Sequence, residues 1–599
     1  MHKFDFCDIM IVYLQKCILI VLLQNIEVVA LKQVWTEIRS SVTKNFRHAT
    51  LSFLFIILFV NVFQMVFGAE NSMVGVIFTI MMSASMVRDL TATPFKHLCI
   101  QATVLILMAA AACFVTNVSP ILALPVNLIM IFIILYAFTY EYVSQLYFPY
   151  ILSYLFLLFI SPVTPEHLPK RLVGMLAGAV CMILYQLVNG RNRIVETARD
   201  VLVSMSDKAS GCIDCLLTGE GMPQDPEALR SDLCKLSKIV YDRRKKVLCI
   251  SDASFSMIDA GRGLENLVLL LYELEGPITP GRTALLRQIS FYLSSFRAFM
   301  LCQAEPIPPI NLDDFATMED TQTDQFYHCL SYIREHMIQM TQPQKQGHYR
   351  KTLLSLSLHL KAALNISPVR VVYALRVSCL LALGTLLVQT LQLPHGKWLL
   401  FTIASVSLPY SDDIGSKAKK RFWATVIGGG IGVVLYSLAP APALRTAIMM
   451  ISGYLSFYFT DYSATFACST IGALGGAVFM NAFGWQSVGG ILLIRMAYIL
   501  TGIAIALLFN CILFPFQRKR ATRQLWNKYI TTTKLLTKTC RTDQADPQLY
   551  YNLVIQVHLQ EDKLTQNAKD LNWEGAKDML AKCREAVRAA HQGVRTVGI

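Results

Sequence analysis

Charged residues are scarce in this sequence. Asp, Glu, Lys and Arg make up 16% of its 599 residues, whereas soluble proteins carry about 25%. The shortage is concentrated in long apolar runs, and none of these runs contains an Asp or Glu in its interior. Long uncharged runs are typical of membrane-spanning helices, so a wholly soluble protein is excluded.

Motifs for catalysis, nucleotide binding and metal binding are also missing. The sequence has no HExxH motif, and no Ser, His and Asp or paired carboxylates at a recognisable spacing. The glycine run at 428–430 is not followed by the Gly-Lys-Ser/Thr of a phosphate-binding loop. Cys212 and Cys215 form a CxxC, but the second pair of ligands that a structural zinc site needs does not accompany them. We therefore predict no enzyme, no cofactor and no metal site.

Twelve apolar segments are present, and they fall into two groups of six. A helix needs ~20 apolar residues to span a bilayer, and several segments are at the short end of that range. The first group covers 49–67, 73–87, 98–116, 120–139, 146–161 and 172–189. The second group covers 371–393, 397–410, 422–439, 444–460, 464–482 and 488–515.

Charges return between and after these groups, with apolar residues repeating at the helical period of 3.6. We therefore predict an all-α polytopic membrane protein made of two parallel six-helix transmembrane repeats with cytoplasmic helical domains. The predicted parts are a cytoplasmic or interfacial lead-in at 1–46, transmembrane halves at 47–190 and 369–516, a cytoplasmic helical domain at 191–368 and a cytoplasmic helical tail at 517–599.

Basic residues indicate the orientation of these parts. Clusters follow the sixth span at 191–193, separate the eighth and ninth spans at 417–421, and follow the twelfth span at 518–523. All three lie on one side if each half has six spans, and the positive-inside rule makes that side cytoplasmic. This predicts a multi-pass protein of the plasma (inner) membrane with both termini in the cytoplasm. The same placement accounts for the net charge of +14, so nucleic acid is not a predicted partner.

The two halves resemble each other in sequence. Three matches link them: Phe78-Thr79-Ile80 with Phe401-Thr402-Ile403, Ala102-Thr103-Val104 with Ala424-Thr425-Val426, and Arg171…Gly178 with Arg495…Gly502. The offsets are nearly constant, at 323, 322 and 324 residues. Halves that both begin inside are parallel repeats, and transporters commonly bind substrate between such repeats. The pattern therefore predicts a transporter or a channel.

The motifs of the second half resemble a known family. The stretch Lys397-Trp398…Pro409, continued by Lys-Arg-Phe-Trp-Ala-Thr at 420–425, is similar to the core motif of the fusaric acid resistance (FUSC) family. The stretch Arg495…Gly502…Phe514-Pro515 resembles the closing helix of that module. The whole layout is similar to the aromatic acid exporters and, more distantly, to the aluminium-activated malate transporters of plants. The resemblance implies a plasma-membrane exporter of aromatic or related organic anions, driven by the proton gradient.

Cationic residues of the second half are the main candidates for substrate binding. Arg495 follows about seven uncharged residues of its span, and a charge at that depth is costly enough to indicate function. Its guanidinium can hold a carboxylate through two hydrogen bonds, although snorkelling to the outer interface would also explain it. Arg376 and Arg421 lie near the cytoplasmic side, where a topology anchor is the alternative interpretation. Trp398, from the family-like motif, completes the predicted set.

Carboxylates that could couple transport to protons occur only at the boundaries of the spans. These candidates are Asp89, Glu141, Asp412, Asp413 and Asp461. Proton-driven carriers often use carboxylates inside the membrane. The boundary positions therefore leave room for a channel or a passive carrier.

Glycines spaced by helical turns are predicted to let neighbouring helices pack closely, because small residues allow two backbones to approach in lipid. The predicted packing glycines are Gly428, Gly432, Gly472, Gly476 and Gly502.

We therefore predict a transporter that exports aromatic or related organic anions. The alternatives are an anion channel similar to the malate channels, and a non-transporting membrane scaffold whose soluble helices recruit partners. The expected partners are the lipid bilayer and a small organic anion. A homo-oligomer and a periplasmic partner are left open.

Overall fold

A computed structural model describes most of the chain as α-helix. The described residues are 46–47, 49–85, 94–142, 146–190, 193–219, 227–243, 248–274, 279–301, 306–311, 323–346, 367–439, 441–459, 461–479, 485–542 and 546–597. No β-strand occurs among these residues. The predicted lead-in at 1–46 lies almost entirely outside them, as does Asp89.

A helix lies over each of the twelve predicted apolar segments. Those of the first half are α1 (Ala49–Phe67), α2 (Ser72–Ser85), α3 (Pro94–Asn117), α4 (Pro120–Phe138), α5 (Tyr147–Phe159) and α6 (Leu168–Gly190). The helices between the two halves are numbered α7 to α11 and lie between Arg193 and Thr341. Those of the second half are α12 (Pro368–Thr390), α13 (Lys397–Val406), α14 (Ile414–Leu438), α15 (Pro442–Leu455), α16 (Tyr462–Phe479) and α17 (Trp485–Leu507). A short π-helical stretch, Leu508–Leu513, continues α17.

Seven helical stretches in the described residues are long and apolar enough to cross a bilayer, which supports a multi-pass membrane protein. They are Ala49–Phe67, Pro94–Asn117, Pro120–Phe138, Pro165–Val188, Pro368–Thr390, Ser411–Leu438 and Val488–Leu513. The apolar helices α5 and α13 are shorter. The arrangement as two repeats of six spans stays a prediction.

Two helix boundaries differ from the predicted ones for local reasons. Helix α13 ends at Val406 rather than at 410, because Leu408 precedes Pro409 and a residue before proline avoids the helical conformation. Helix α14 begins at Ile414 rather than at 422. The basic cluster at 417–421 is therefore helical, and it extends a helix that sequence hydropathy had cut at its first charge.

The described residues divide into two compact units. One unit holds the residues up to Val66 together with Gly415–Ala504, and the other holds Phe67–Ile414 and the residues from Ile505 onward. The first unit therefore contains α1, α15, α16 and most of α14 and α17. The second contains the remaining apolar helices and all of the more polar ones.

Helices α14 and α16 run side by side in the same direction within the first unit. A Cβ atom at Gly428 would lie 2.4 Å from the Ala467 carbonyl oxygen, and one turn later a Cβ at Gly432 would lie 3.7 Å from the Ile471 Cα. From the first contact to the second, the position moves forward by four residues on both helices, so the two helices run in the same direction. This is the geometry expected for the first and third of three successive membrane crossings.

The polar segments on either side of the second half form one helical domain. Its helices are α7 (Arg193–Thr218), α8 (Glu227–Arg243), α9 (Asp252–Tyr272), α10 (Pro280–Leu301), α11 (Thr323–Thr341), α18 (Arg518–Cys540), α19 (Pro547–Leu571) and α20 (Ala576–Val597). One hydrophobic core contains buried side chains from all eight, for example Leu264 of α9 and Val554 of α19. The helices before and after the second half therefore pack as a single body, which we call the helical domain.

A buried ion cluster locks the two parts of this domain together. Glu561 of α19 is 1% exposed and accepts two hydrogen bonds from Arg230 of α8, at 2.9 and 2.6 Å. Arg584 of α20 donates to the same carboxylate at 2.6 Å. Arg230 also contacts Glu265 of α9 at 3.2 Å. Charge-assisted, bidentate pairs of this kind are among the strongest hydrogen bonds in proteins.

Candidate functional site

Two buried arginines of the first unit lie near each other. Arg421 of α14 and Arg495 of α17 are each 5% exposed. Their guanidinium groups are close enough for the like charges to interact. A buried charge is expensive, and two buried charges of one sign repel each other as well. Such a pair is an arrangement that an anion would stabilise.

Aromatic side chains of α16 cover the basic face of α14. The Arg421 guanidinium lies 4.1 Å from the centre of the Phe466 ring, and one turn earlier the Lys417 Nζ lies 3.5 Å from the centre of the Tyr462 ring. The two rings are 4.3 Å apart. Cations over aromatic faces gain from the negative charge of the ring, so the aromatic pair accommodates the two cations.

Two nitrogen donors of the Arg421 guanidinium make no hydrogen bond with the described residues. Its Nε and Nη1 atoms are buried and donate to no acceptor in the part of the chain that the structure describes. A guanidinium carries five N–H donors in a fork that matches the two oxygens of a carboxylate. The Arg421 guanidinium can therefore bind the carboxylate of an organic anion whose apolar part lies beside Phe466 and Tyr462.

Arg376 and Trp398 belong to the other compact unit, so the structure does not bring the four predicted binding residues into one described site. Arg376 donates from Nη2 to the Leu408 carbonyl at 2.6 Å and from Nη1 to the Phe514 carbonyl at 3.3 Å. It thus ties the chain after α13 to the end of the last apolar helix. Trp398 is buried and stacks on His395, with ring centres 4.8 Å apart.

Arg171, which matches Arg495 in the sequence repeat, has a different environment. It is almost fully buried, and its guanidinium donates to Asn71 Oδ1, to the Glu70 carbonyl at 2.9 Å, and to the Ser161 carbonyl and hydroxyl at 3.0 Å each. These acceptors engage all three of its nitrogens within its own half. Arg171 thus donates to neutral acceptors, whereas the charge of Arg495 interacts with the like charge of Arg421.

Three of the predicted proton-coupling carboxylates accept hydrogen bonds from neighbouring groups. The Asp412 Oδ2 accepts the backbone N–H of Arg518 at 2.7 Å, and both Asp413 oxygens accept from its guanidinium at 2.6 Å. Asp461 accepts the backbone N–H groups of Ser463 and Ala464 at the start of α16. These hydrogen bonds, that of Ser463 first, lower the pKa of Asp461. A lowered pKa makes Asp461 a poor proton carrier near neutral pH.

Glu141 is the described candidate with the fewest such contacts. Its side chain is 9% exposed, its Oε2 accepts no hydrogen bond from a described residue, and Lys528 Nζ lies 3.9 Å from that oxygen. It follows α4 and lies against α18 of the helical domain. No cluster of three or more His, Cys, Asp or Glu suited to a metal ion occurs in the described ranges.

The predicted packing glycines differ in how closely neighbouring atoms approach them. Gly428 and Gly432 face α16 as described above, and a Cβ at Gly472 would lie 3.3 Å from Ser452 Oγ. Gly502 is buried. At Gly476 a Cβ would meet nothing within 4 Å, and the close contact belongs instead to Gly475, where a Cβ would lie 2.3 Å from the Tyr436 hydroxyl.

We expect Gly428→Ala to destabilise the protein by about 1–3 kcal/mol, the usual cost of forcing a methyl into a packed site. The new Cβ would meet the Ala467 backbone at 2.4 and 2.7 Å, and backbone atoms cannot turn aside as a side chain can. Gly430→Ala on the same helix is the matched control, because a Cβ there meets nothing within 4 Å. Thermal unfolding in detergent checks this, and equal melting temperatures for the two variants would contradict it.

In a comparison with known protein families, the segment that contains the arginine pair matches one family. Residues 381–509 match the family model FUSC_2, described as fusaric acid resistance protein-like. The match includes Arg421, Phe466 and Arg495, and it confirms the resemblance predicted from the motifs. No curated protein and no solved structure matches the chain. Together with the apolar helices, the match indicates a membrane transporter.

Proposed function

We propose that this protein exports small organic anions, aromatic carboxylates in particular, through a site formed by Arg421 and Arg495. The observation that carries the proposal is the pair of buried, like-charged guanidinium groups inside the FUSC-like segment. An anion would relieve their repulsion and use the Nε and Nη1 donors of Arg421. Charge-assisted bidentate hydrogen bonds supply both affinity and orientation.

The preference for an aromatic anion rests on the neighbours of the pair. Phe466 and Tyr462 present ring faces beside the cations, and a substrate ring can pack against them in an offset or edge-to-face arrangement. A purely inorganic anion has no ring with which to make such contacts. We therefore expect benzoate-like acids to be better substrates than chloride or sulfate.

The proton gradient is the proposed driving force, with Glu141 as the proton-coupling residue. Its support is the position of Glu141, whose side chain is 9% exposed beside Lys528 and has one oxygen that accepts no hydrogen bond from the described residues. Asp412, Asp413 and Asp461 are less suited because their oxygens already accept hydrogen bonds. We also propose that the helical domain lies on the cytoplasmic side of the plasma membrane, as the distribution of basic residues predicts.

Transport by purified protein in proteoliposomes tests the proposal. We expect labelled 4-hydroxybenzoate to cross the membrane at a rate that rises with an imposed pH gradient, and labelled benzyl alcohol to show no protein-dependent flux. The neutral alcohol is the control because it keeps the ring and lacks the carboxylate. Absence of protein-dependent flux for a panel of aromatic acids would overturn the proposal.

An anion channel is the second candidate, and one observation favours it. None of the twelve apolar helices, within the bounds that the structure describes, contains an Asp or Glu. Proton-coupled carriers often place a carboxylate inside the membrane. A channel would give an anion current that follows voltage and is indifferent to the pH gradient, so the same proteoliposomes distinguish the two candidates.

A further inference from the structure

The helical domain contains a cavity at the junction of its two parts. The cavity measures about 120 Å³. Its walls come from α8, α9 and α11, which precede the second apolar half, and from α18, α19 and α20, which follow it. It adjoins a second recess, with which it shares Asn266, Cys329 and Arg588. Ligand sites often occur at such interfaces between substructures.

The wall of the cavity carries a surplus positive charge. Four arginines line it: Arg230, Arg262, Arg584 and Arg588. The first three have carboxylate partners, since Glu561 and Glu265 bind Arg230, Asp259 binds Arg262, and Glu561 binds Arg584. Arg588 is half-buried and forms no ion pair with a described residue. Glu273 and Glu585 line the adjoining recess, which Arg588 also lines, and not the cavity itself. Within the cavity, Arg588 is therefore the cation with which a monoanion can pair.

A buried hydroxyl in the wall offers a second point of contact. Tyr529 is fully buried and lines the cavity, and its hydroxyl makes no hydrogen bond with any described residue. A buried polar group without a partner costs about 1–3 kcal/mol. Burial, and after it the charge of Glu561, raises the pKa of this hydroxyl. It therefore remains protonated at neutral pH and can donate to an anion.

Part of the cavity wall is apolar, although Asn266 and His558 also line it. Leu269, Leu536, Val554 and Val557 contribute hydrocarbon surface. An apolar protein cavity of about 150 Å³ accepts a benzene molecule, so a cavity of 120 Å³ is suited to one small ring or a short branched chain. The combination of one surplus cation, one hydroxyl donor and apolar walls selects a small organic acid over a phosphate or a polyanion.

We infer that this cavity binds a small organic carboxylate, with its charged end at Arg588 and Tyr529 and its apolar body among the side chains of α9, α18 and α19. The ligand would contact helices from both parts of the helical domain and so hold the C-terminal helices in place. This site lies outside the apolar helices and does not depend on the proposed transport site.

Binding of benzoate to the full-length protein in detergent, measured by calorimetry, tests the inference. We use the Arg421→Gln background, so that the proposed transport site does not contribute to the heat. In that background we expect benzoate to bind at one site and benzyl alcohol not to bind. Tyr529→Phe and Arg588→Gln should each weaken binding by about tenfold or more, since each removes one charge-assisted hydrogen bond.

Lys582→Gln is the matched control, because Lys582 lies exposed on α20, does not line the cavity, and loses the same charge as Arg588→Gln. We expect it to leave the dissociation constant unchanged. Absence of benzoate binding in the Arg421→Gln protein, or binding that neither Tyr529→Phe nor Arg588→Gln weakens, would overturn the inference. Proteoliposome flux of the Tyr529→Phe variant is measured separately, so that failure of this site and failure of the proposed transport function remain distinguishable.

Discussion

Arg421→Gln is expected to reduce organic-anion flux by about 100-fold while leaving the protein folded. The substitution removes the charge and the fork of donors from a buried site, and hydrogen bonds between charged groups contribute about 1.5–3 kcal/mol each. Arg421→Lys should restore the charge without the fork, and we expect flux between that of the Gln variant and that of the unaltered protein. Initial rates of 4-hydroxybenzoate flux in proteoliposomes check both expectations.

The stability of the same variants distinguishes a binding residue from a structural one. Arg421 lies buried near the like charge of Arg495, so its removal relieves repulsion and the cost of burying a second cation. We therefore expect the melting temperature of Arg421→Gln to equal or exceed that of the unaltered protein. A structural arginine such as Arg171, whose four hydrogen bonds hold two loops, should give the opposite result when replaced.

Lys419→Gln is the control for the loss of a charge from the same helix, because Lys419 is exposed two residues before Arg421. Its flux should stay within about twofold of normal, as expected for a screened surface charge. Equal flux in Arg421→Gln and the unaltered protein would remove Arg421 from the site. A large fall in its melting temperature would assign it a structural role instead.

Glu561→Gln is expected to destabilise the helical domain by about 3–5 kcal/mol, the cost of breaking a buried ion pair by removing one partner. The carboxylate is 1% exposed and satisfies both Arg230 and Arg584. Its replacement leaves two guanidinium groups facing a neutral amide. Thermal and urea unfolding of the full-length protein, followed by circular dichroism, measure the loss.

The same carboxylate gives the domain a predictable sensitivity to acid. Burial alone would raise the pKa of Glu561, but the charges of Arg230 and then Arg584 outweigh it and hold the pKa below its usual value. A lowered pKa means that the stabilisation is complete above the unfolded value of about 4.3. It is lost as the pH falls from there through the folded pKa. The Glu561→Gln variant should lack this part of the acid transition.

Glu585→Gln is the matched control, because Glu585 lies exposed on α20, one position after Arg584. It should change the free energy of unfolding by less than about 0.5 kcal/mol, as surface substitutions usually do. Equal stabilities of the Glu561→Gln and Glu585→Gln variants would mean that the buried ion cluster contributes nothing to holding α19 and α20 in place.

The positions of the apolar helices could be predicted from the sequence because the signal is local. A run of apolar residues is visible within a short window, and a helix occupies each of the twelve predicted segments. The misplaced ends have local causes too: Pro409 stops α13 early, and the basic residues 417–421 extend α14 beyond the apolar run. The family-like motifs around Lys397 and Arg495 were also read from consecutive residues, and the family match confirms them.

The partners of the functional side chains could not be predicted, because they are distant in sequence. Phe466 lies 45 residues after Arg421, and nothing in the spacing shows that it covers the guanidinium. Glu561 and Arg230 are 331 residues apart. The i, i+4 pair Tyr462 and Phe466 was the only available signal of the aromatic cover, and an apolar helix offers many such pairs. Arg376 was predicted to bind substrate, and its sequence context could not show that its guanidinium already donates to backbone carbonyls.

The shared core of the helical domain has a consequence for biosynthesis. Helices α7 to α11 leave the ribosome first, yet their core is completed by α18 to α20. About 180 residues, including the whole second apolar half, separate the end of α11 at Thr341 from the start of α18 at Arg518. At about 5–20 residues per second, translation of that interval takes roughly 10–40 s. During that time the apolar surface of α7 to α11 lacks its final packing partners, and exposed apolar surface is prone to aggregate. We therefore expect chaperones to bind these helices while the second apolar half is being inserted into the membrane.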